Sequence, residues 1–174
     1  MMQYVIHKKS LRVFLYFLLT SIVVINTGCS LLQNKLFTGT MTAGSMMNTI
    51  MPNATFIFDS RSYEKKSPGR FDIIAFKYPD DPSSTMIKRI IGMPGETLSI
   101  RGGNVYINDD TEPLKEDYLK EAPSPDDFGP YSIPQDSYFV LGDNRNNSAD
   151  SRSWNNKFVS RDGILGKVTY WKNP

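Results

Sequence analysis

From residue 54 onward the chain is built of short runs of β-branched and aromatic residues, each closed by Gly, Pro, Asn or Asp. Such runs predict strands, here at residues 54–59, 72–78, 85–91, 97–100, 104–107, 137–141 and 164–170. The clearest alternation lies in Thr85-Met86-Ile87-Lys88-Arg89-Ile90-Ile91. Period two there puts Met86, Lys88 and Ile90 on one face and Ile87, Arg89 and Ile91 on the other. Gly102-Gly103-Asn104, between two such runs, predicts a hairpin. Residues 112–134 carry five prolines among many acids, which predicts a long loop with one helical turn near residues 118–121. No long amphipathic helix competes, and no repeat is present. The expected fold class is mainly β, a compact antiparallel sheet.

A different pattern opens the chain. Lys8, Lys9 and Arg12 precede an apolar run at residues 13–25, which as a helix would reach only about 20 Å. Extended through Leu32 it reaches the ~30 Å of a bilayer core, with Asn26, Thr27, Gly28 and Ser30 weakening the far end. The segment reads as a transmembrane anchor with its basic flank in the cytoplasm, as a cleaved signal, or as a buried core helix. The cleaved-signal reading carries lipid attachment at Cys29, whose surroundings resemble a lipobox. All but the core-helix reading put the body outside the cytoplasm. The expected organisation is a basic tail at 1–12, an anchor at 13–32, a polar Thr-rich linker at 33–41, and a body at 42–174.

The length of 174 residues suits one domain plus that appendage. The chain holds 20 Lys and Arg against 18 Asp and Glu, and three of the cations lie in the acid-free N-terminal stretch. The body is therefore close to neutral and lacks the basic footprint of a nucleic-acid partner. The only His of the chain is His7 and its only Cys is Cys29, both outside the body. A Ser-His-Asp triad, a thiol nucleophile and a His or Cys zinc site are excluded there. A hydrolase built on this body needs another base.

Lys88 is one candidate, because the strand pattern gives it apolar neighbours. At the ordinary lysine pKa of ~10.4 about one amine in 2,500 is neutral at pH 7, whereas at ~8 the fraction is roughly one in ten. The alternative is a snorkelling lysine whose amine stays wet. Ser45, in Ala43-Gly44-Ser45-Met46-Met47, reads either as a nucleophile or as an ordinary turn residue. Residues 142–152 (GDNRNNSADSR) follow a strand and read as a solvated loop or as a fixed lattice of ion pairs. An EF-hand reading fails at Arg145 and Ala149, and a phosphate loop fails at residues 163–168, where the glycine spacing is wrong.

Taken in order, these pieces resemble the bacterial type I signal peptidases, membrane-anchored serine proteases that use a Ser-Lys pair. The resemblance rests on Gly44-Ser45-Met46, on residues 69–76 (GRFDIIAF), on residues 87–96 (IKRIIGMPGE) and on residues 142–152. It implies a β-sheet catalytic domain behind an N-terminal transmembrane helix, in the cytoplasmic membrane. Preprotein signal peptides would be the substrates and membrane lipid the surroundings, with a monomeric enzyme needing no metal or cofactor. It further implies Ser45 as nucleophile, Lys88 as general base, Ser148 as a hydrogen-bond partner of the Lys88 amine, and the Ser45 backbone N–H as oxyanion donor. Gly44, Asp143, Arg145, Asp150 and Arg152 would hold the shape of the site. Met41, Ala43, Met46, Ile50, Met86 and Ile87 would line pockets for the small residues of Ala-X-Ala cleavage sites, with plain core packing the alternative, above all for Ile50.

Two departures stand out. Ala43 replaces a hydroxyl residue of some members, leaving the oxyanion to backbone groups or another residue, and Asn48-Thr49-Ile50 replaces Pro-Thr-Leu, implying a less rigid turn. The short span between the last two boxes implies a minimal catalytic core. Two other readings remain open: a maturation peptidase dedicated to one secreted or conjugation protein, and a non-catalytic lipoprotein-like module that keeps a peptide groove.

Overall fold

A computed structural model describes residues 35–119 and 121–174. The N-terminal tail, the apolar segment at 13–32 and Cys29 lie outside the described residues. Among those described, no helix is long and apolar enough to cross a membrane.

Among the described residues ten strands form, in chain order: β1 Leu36–Thr40, β2 Thr55–Asp59, β3 Ile73–Tyr78, β4 Asp81–Gly92, β5 Thr97–Arg101, β6 Asn104–Ile107, β7 Phe128–Ser132, β8 Ser137–Leu141, β9 Val159–Ser160 and β10 Ile164–Lys172. Seven make an antiparallel sheet in the order β1-β2-β10-β3-β4-β8-β9, and three make a smaller sheet in the order β6-β5-β7.

Alternation along the central strands places apolar residues on both faces of the large sheet. Ile73 and Ala75 of β3 join Met46, Ile50 and Ile87 in one cluster, while Ile74 and Phe76 join Ile90, Val140 and Trp154 in another. A third cluster seats the small sheet: Leu98, Ile100, Val105 and Ile107 pack with Ile91, Phe139 and Leu141. Burial on both faces explains why β4 is closed off from Ile87 to Gly92. The hairpin at Gly102-Gly103 has two loop residues with φ of 54° and 80°, the left-handed pair that a tight β-turn requires and that glycine adopts without strain.

The structure departs from the sequence pattern in three places. The stretch expected as a linker contributes β1, whose residues pair with β2 from Leu36↔Asp59 to Thr40↔Thr55. This edge strand is mostly exposed, so it shows no hydrophobic alternation, and its partner supplies the order. Within the expected loop at 112–134, Phe128–Ser132 form β7, an edge strand that tolerates Pro130 because it pairs only with β5. The expected turn is present but centred earlier, with the Leu119 N–H donating to the Glu116 carbonyl at 3.0 Å.

Candidate active site

Ser45 lies in the loop between β1 and β2. Two turns fold that loop: the Met47 N–H donates to the Gly44 carbonyl at 3.1 Å, and the Ile50 N–H to the Met46 carbonyl at 2.8 Å. Met46 and Ile50 are completely buried, so apolar packing fixes the turn that carries the serine.

Lys88 sits in the doubly covered part of β4 and is only 2% exposed. Its Nζ donates to Ser45 Oγ at 2.7 Å. Burial lowers the amine from 10.5 to about 8, against the opposing fields of Asp150 and Asp143. Desolvation therefore outweighs two nearby carboxylates. An ordinary snorkelling lysine would show neither the burial nor the shift.

Residues 142–152 form a lattice of ion pairs, which composition had left undecided. Arg89, next to Lys88 on β4, grips Asp143 with two hydrogen bonds, Nε to Oδ1 at 2.8 Å and Nη2 to Oδ2 at 2.5 Å. Thr49, just past the Ser45 turn, donates its hydroxyl to Asp143 as well. Arg152 donates to both oxygens of Asp150 at 2.8 and 2.9 Å, and Asp150 accepts the Gly142 N–H at 3.1 Å. Arg145 pairs with Glu116 and donates from Nε to the Gly142 carbonyl at 3.1 Å. Asn144 ties this lattice to the serine loop: its backbone N–H donates to the Ser45 carbonyl and its side-chain amide to the Gly44 carbonyl, each at 3.0 Å.

A groove of about 430 Å³ runs along Ser45 and Lys88, lined by residues of β1, the serine loop, β2 and β4. Among the described residues, β8 covers β4 only from Arg89 to Gly92, so the outer edge of β4 from Thr85 to Lys88 has no partner strand. Such an edge offers backbone groups to an extended peptide.

A family model described as signal peptidase, peptidase S26, matches residues 11–171. The chain belongs to that family. It is 42% identical to the signal peptidase I of Leptolyngbya laminosa over 136 residues, which cover 73% of this chain and 64% of the relative. It is 40% identical to the probable signal peptidase I-2 of Synechocystis over 139 residues, covering 76% and 62%. The chain thus spans a little under two thirds of the length of these curated relatives. A crystal structure of a signal peptidase I from Enterococcus faecalis superposes with a TM-score of 0.50 at 38% identity, covering 60% of this chain and 98% of that one.

Within this signal peptidase fold, the residues singled out from sequence separate into groups. Ser45 and Lys88 meet, and Gly44, Asp143, Arg145, Asp150 and Arg152 surround them in the lattice. Met41, Ala43, Met86 and Ile87 line the groove, whereas Met46 and Ile50 do not: both belong to the core beneath it. Ser148 makes no hydrogen bond to Lys88. Its Oγ is buried without a partner and lies against Gly142.

Asn48 also differs from expectation. Its φ of 84° is left-handed, a conformation closed to proline, so the residue shapes the turn rather than merely loosening it. Sequence reasoning missed Arg89, Asn144, Glu116 and Tyr118 as parts of the site, and Phe56 and Phe58 as groove walls. For Arg89 the signal was present, since Asp143 needed a cation. For Glu116 and Tyr118, in a proline-rich loop, no local signal existed.

Proposed function

We propose that this protein is a membrane-bound serine endopeptidase that removes signal peptides from exported preproteins. The observation that carries the reading is the buried Lys88 amine at 2.7 Å from Ser45 Oγ. With a pKa of about 8, roughly one amine in ten is neutral at pH 7. That neutral amine accepts the Ser45 hydroxyl proton as Oγ attacks the scissile carbonyl, and the ammonium then protonates the leaving amine. Ala43 brings no hydroxyl, so the Ser45 backbone N–H donates to the oxyanion.

The substrate adds as an extended strand between residues 41–43 and the free edge of β4. Met41, Ala43, Met86 and Ile87 leave room for small side chains there, which fits cleavage after Ala-X-Ala sequences. Residues 13–32 anchor the enzyme, with residues 1–12 in the cytoplasm and the catalytic unit outside, acting as a monomer. A non-catalytic groove would give no role to a buried amine against a hydroxyl.

The test incubates the purified protein with a lipid-embedded preprotein and maps the new N-terminus by mass spectrometry. Cleavage after a small residue, abolished in Ser45→Ala and in Lys88→Ala, is expected. Cleavage that survives both substitutions would end the proposal.

A further inference from the structure

The loop between β6 and β7 reaches the ion-pair lattice through one turn. Leu114 is pinned by its N–H on the Val105 carbonyl at 2.7 Å, and Leu114 and Tyr118 pack on the cluster that seats the small sheet. The turn then places two side chains against the lattice. Glu116 takes Arg145 in a two-pronged pair whose side chains are 3% and 6% exposed. Tyr118 lays its ring over the Arg89 guanidinium at 4.1 Å, braced edge-on by Phe71, and its hydroxyl donates to Glu116. Neither residue lines the groove.

The two arginines so held lead to the reacting pair by separate routes. Arg89 is bonded to Asp143 and follows Lys88 directly in β4. Arg145 holds the Gly142 carbonyl, and its own carbonyl accepts from Arg152, the partner of Asp150. Asp143 and Asp150 are the two carboxylates whose fields reach Lys88. Burial opposes the charge of Arg145, and Glu116, together with Tyr118 and Asp150, more than offsets that, holding the guanidinium above its ordinary value.

We propose that the Glu116–Tyr118 turn is a positioning strap for the Ser45–Lys88 pair, with Glu116 balancing Arg145 and Tyr118 capping Arg89. The proposal rests on the peptidase reading for its catalytic consequence, though not for its electrostatic one. Without the Glu116 carboxylate, Arg145 turns to Asp150, the other acid it feels. Asp150 then does less to favour the charged amine, so Lys88 loses its proton at lower pH. Without the Tyr118 ring, Arg89 is hydrated and its hold on Asp143 loosens, so Asp143 favours the charged amine more. The two losses push Lys88 in opposite directions. General loosening would admit water and push it upward in both.

The test follows the Lys88 titration by NMR of full-length protein labelled at lysine Cε, beside kcat and KM on a preprotein peptide. Glu116→Gln is expected to lower the Lys88 midpoint and, by misplacing the pair, to reduce kcat on the high-pH plateau, where the amine is neutral in both proteins, about tenfold with KM within twofold; Tyr118→Leu is expected to raise the midpoint, with Tyr118→Phe lying closer to wild type. The surface variant Lys115→Ala should match wild type. Glu116→Gln with Arg145→Gln should recover part of the Glu116→Gln loss, because no buried cation is left unbalanced. If Glu116→Gln does not fold, the Tyr118 pair carries the test. An unmoved Lys88 midpoint in folded variants, or a rise in both, would overturn the strap, whatever happens to kcat. Absence of any Ser45-dependent cleavage by the wild type would instead overturn the peptidase reading and leave the titration to judge the strap.

Discussion

A Cβ on Gly142 would stand 2.4 Å from the carbonyl oxygen of Ser45. It would also stand 2.2 Å from Ser148 Oγ, so the backbone leaving β8 is pressed against the Ser45 loop with no room for a side chain. Gly142→Ala must part these segments and stretch the Asn144 hydrogen bond to Ser45. A loss of about 100-fold in kcat is expected, with a smaller change in KM, since misplacing a reacting group by about 1 Å costs that much. Steady-state kinetics on the folded variant decides it; wild-type kcat would mean that the close contact does not set the serine.

The pH dependence follows from which form of Lys88 works. Only the neutral amine accepts a proton, so kcat/KM should rise with pH through a midpoint near 8. Asp143 favours the charged amine, and Asp143→Asn should move that midpoint down. A profile from pH 6 to 10 checks both. Activity independent of pH between 6 and 9 would remove Lys88 as the base.

Burying this amine also affects stability, and the sign is definite. The folded chain releases the Lys88 proton near 8, against 10.5 for the free side chain. Between those values the unfolded state binds more protons, so stability rises with pH; below 8 the full penalty is present. Lys88→Met removes it. The variant should be inactive yet more stable than wild type by about 1–3 kcal/mol at pH 7, and the gain should vanish near pH 10.5. Calorimetry at the two pH values measures the difference.

Asn48 tests whether the turn after the serine is specific to this chain. Its φ of 84° suits Asn or Gly and excludes Pro. Asn48→Pro should therefore destabilise the protein by about 3 kcal/mol or more and lower activity. Asn48→Gly should be nearly neutral. Denaturant unfolding of both variants distinguishes a residue-specific turn from a merely looser one.

The strands of the body were largely legible because local chemistry writes them. Seven β-branched runs predicted strands where β2 to β6, β8 and β10 form, and Gly102-Gly103 marked the hairpin between β5 and β6. What escaped was held by partners rather than by its own residues. Leu36–Thr40 is Thr-rich and mostly exposed, and becomes a strand because β2 offers its edge. Phe128–Ser132 contains Gly and Pro and is ordered by β5.

By itself the amino-acid sequence limited the chemistry available: with His and Cys absent from the body a hydrolase there needed another base, and only the resemblance to signal peptidases singled out Ser45 and Lys88. It also determined the alternation that buries β4. Only the tertiary structure decided that Lys88 touches Ser45 across 43 positions of chain. It alone decided that residues 142–152 form a lattice, that Met46 and Ile50 are core, and that Ser148 Oγ makes no hydrogen bond to the amine. The physical reason is that propensity and alternation act between near neighbours. Contact, desolvation and charge balance are set instead by groups that lie far apart in the chain and meet only when the sheets close.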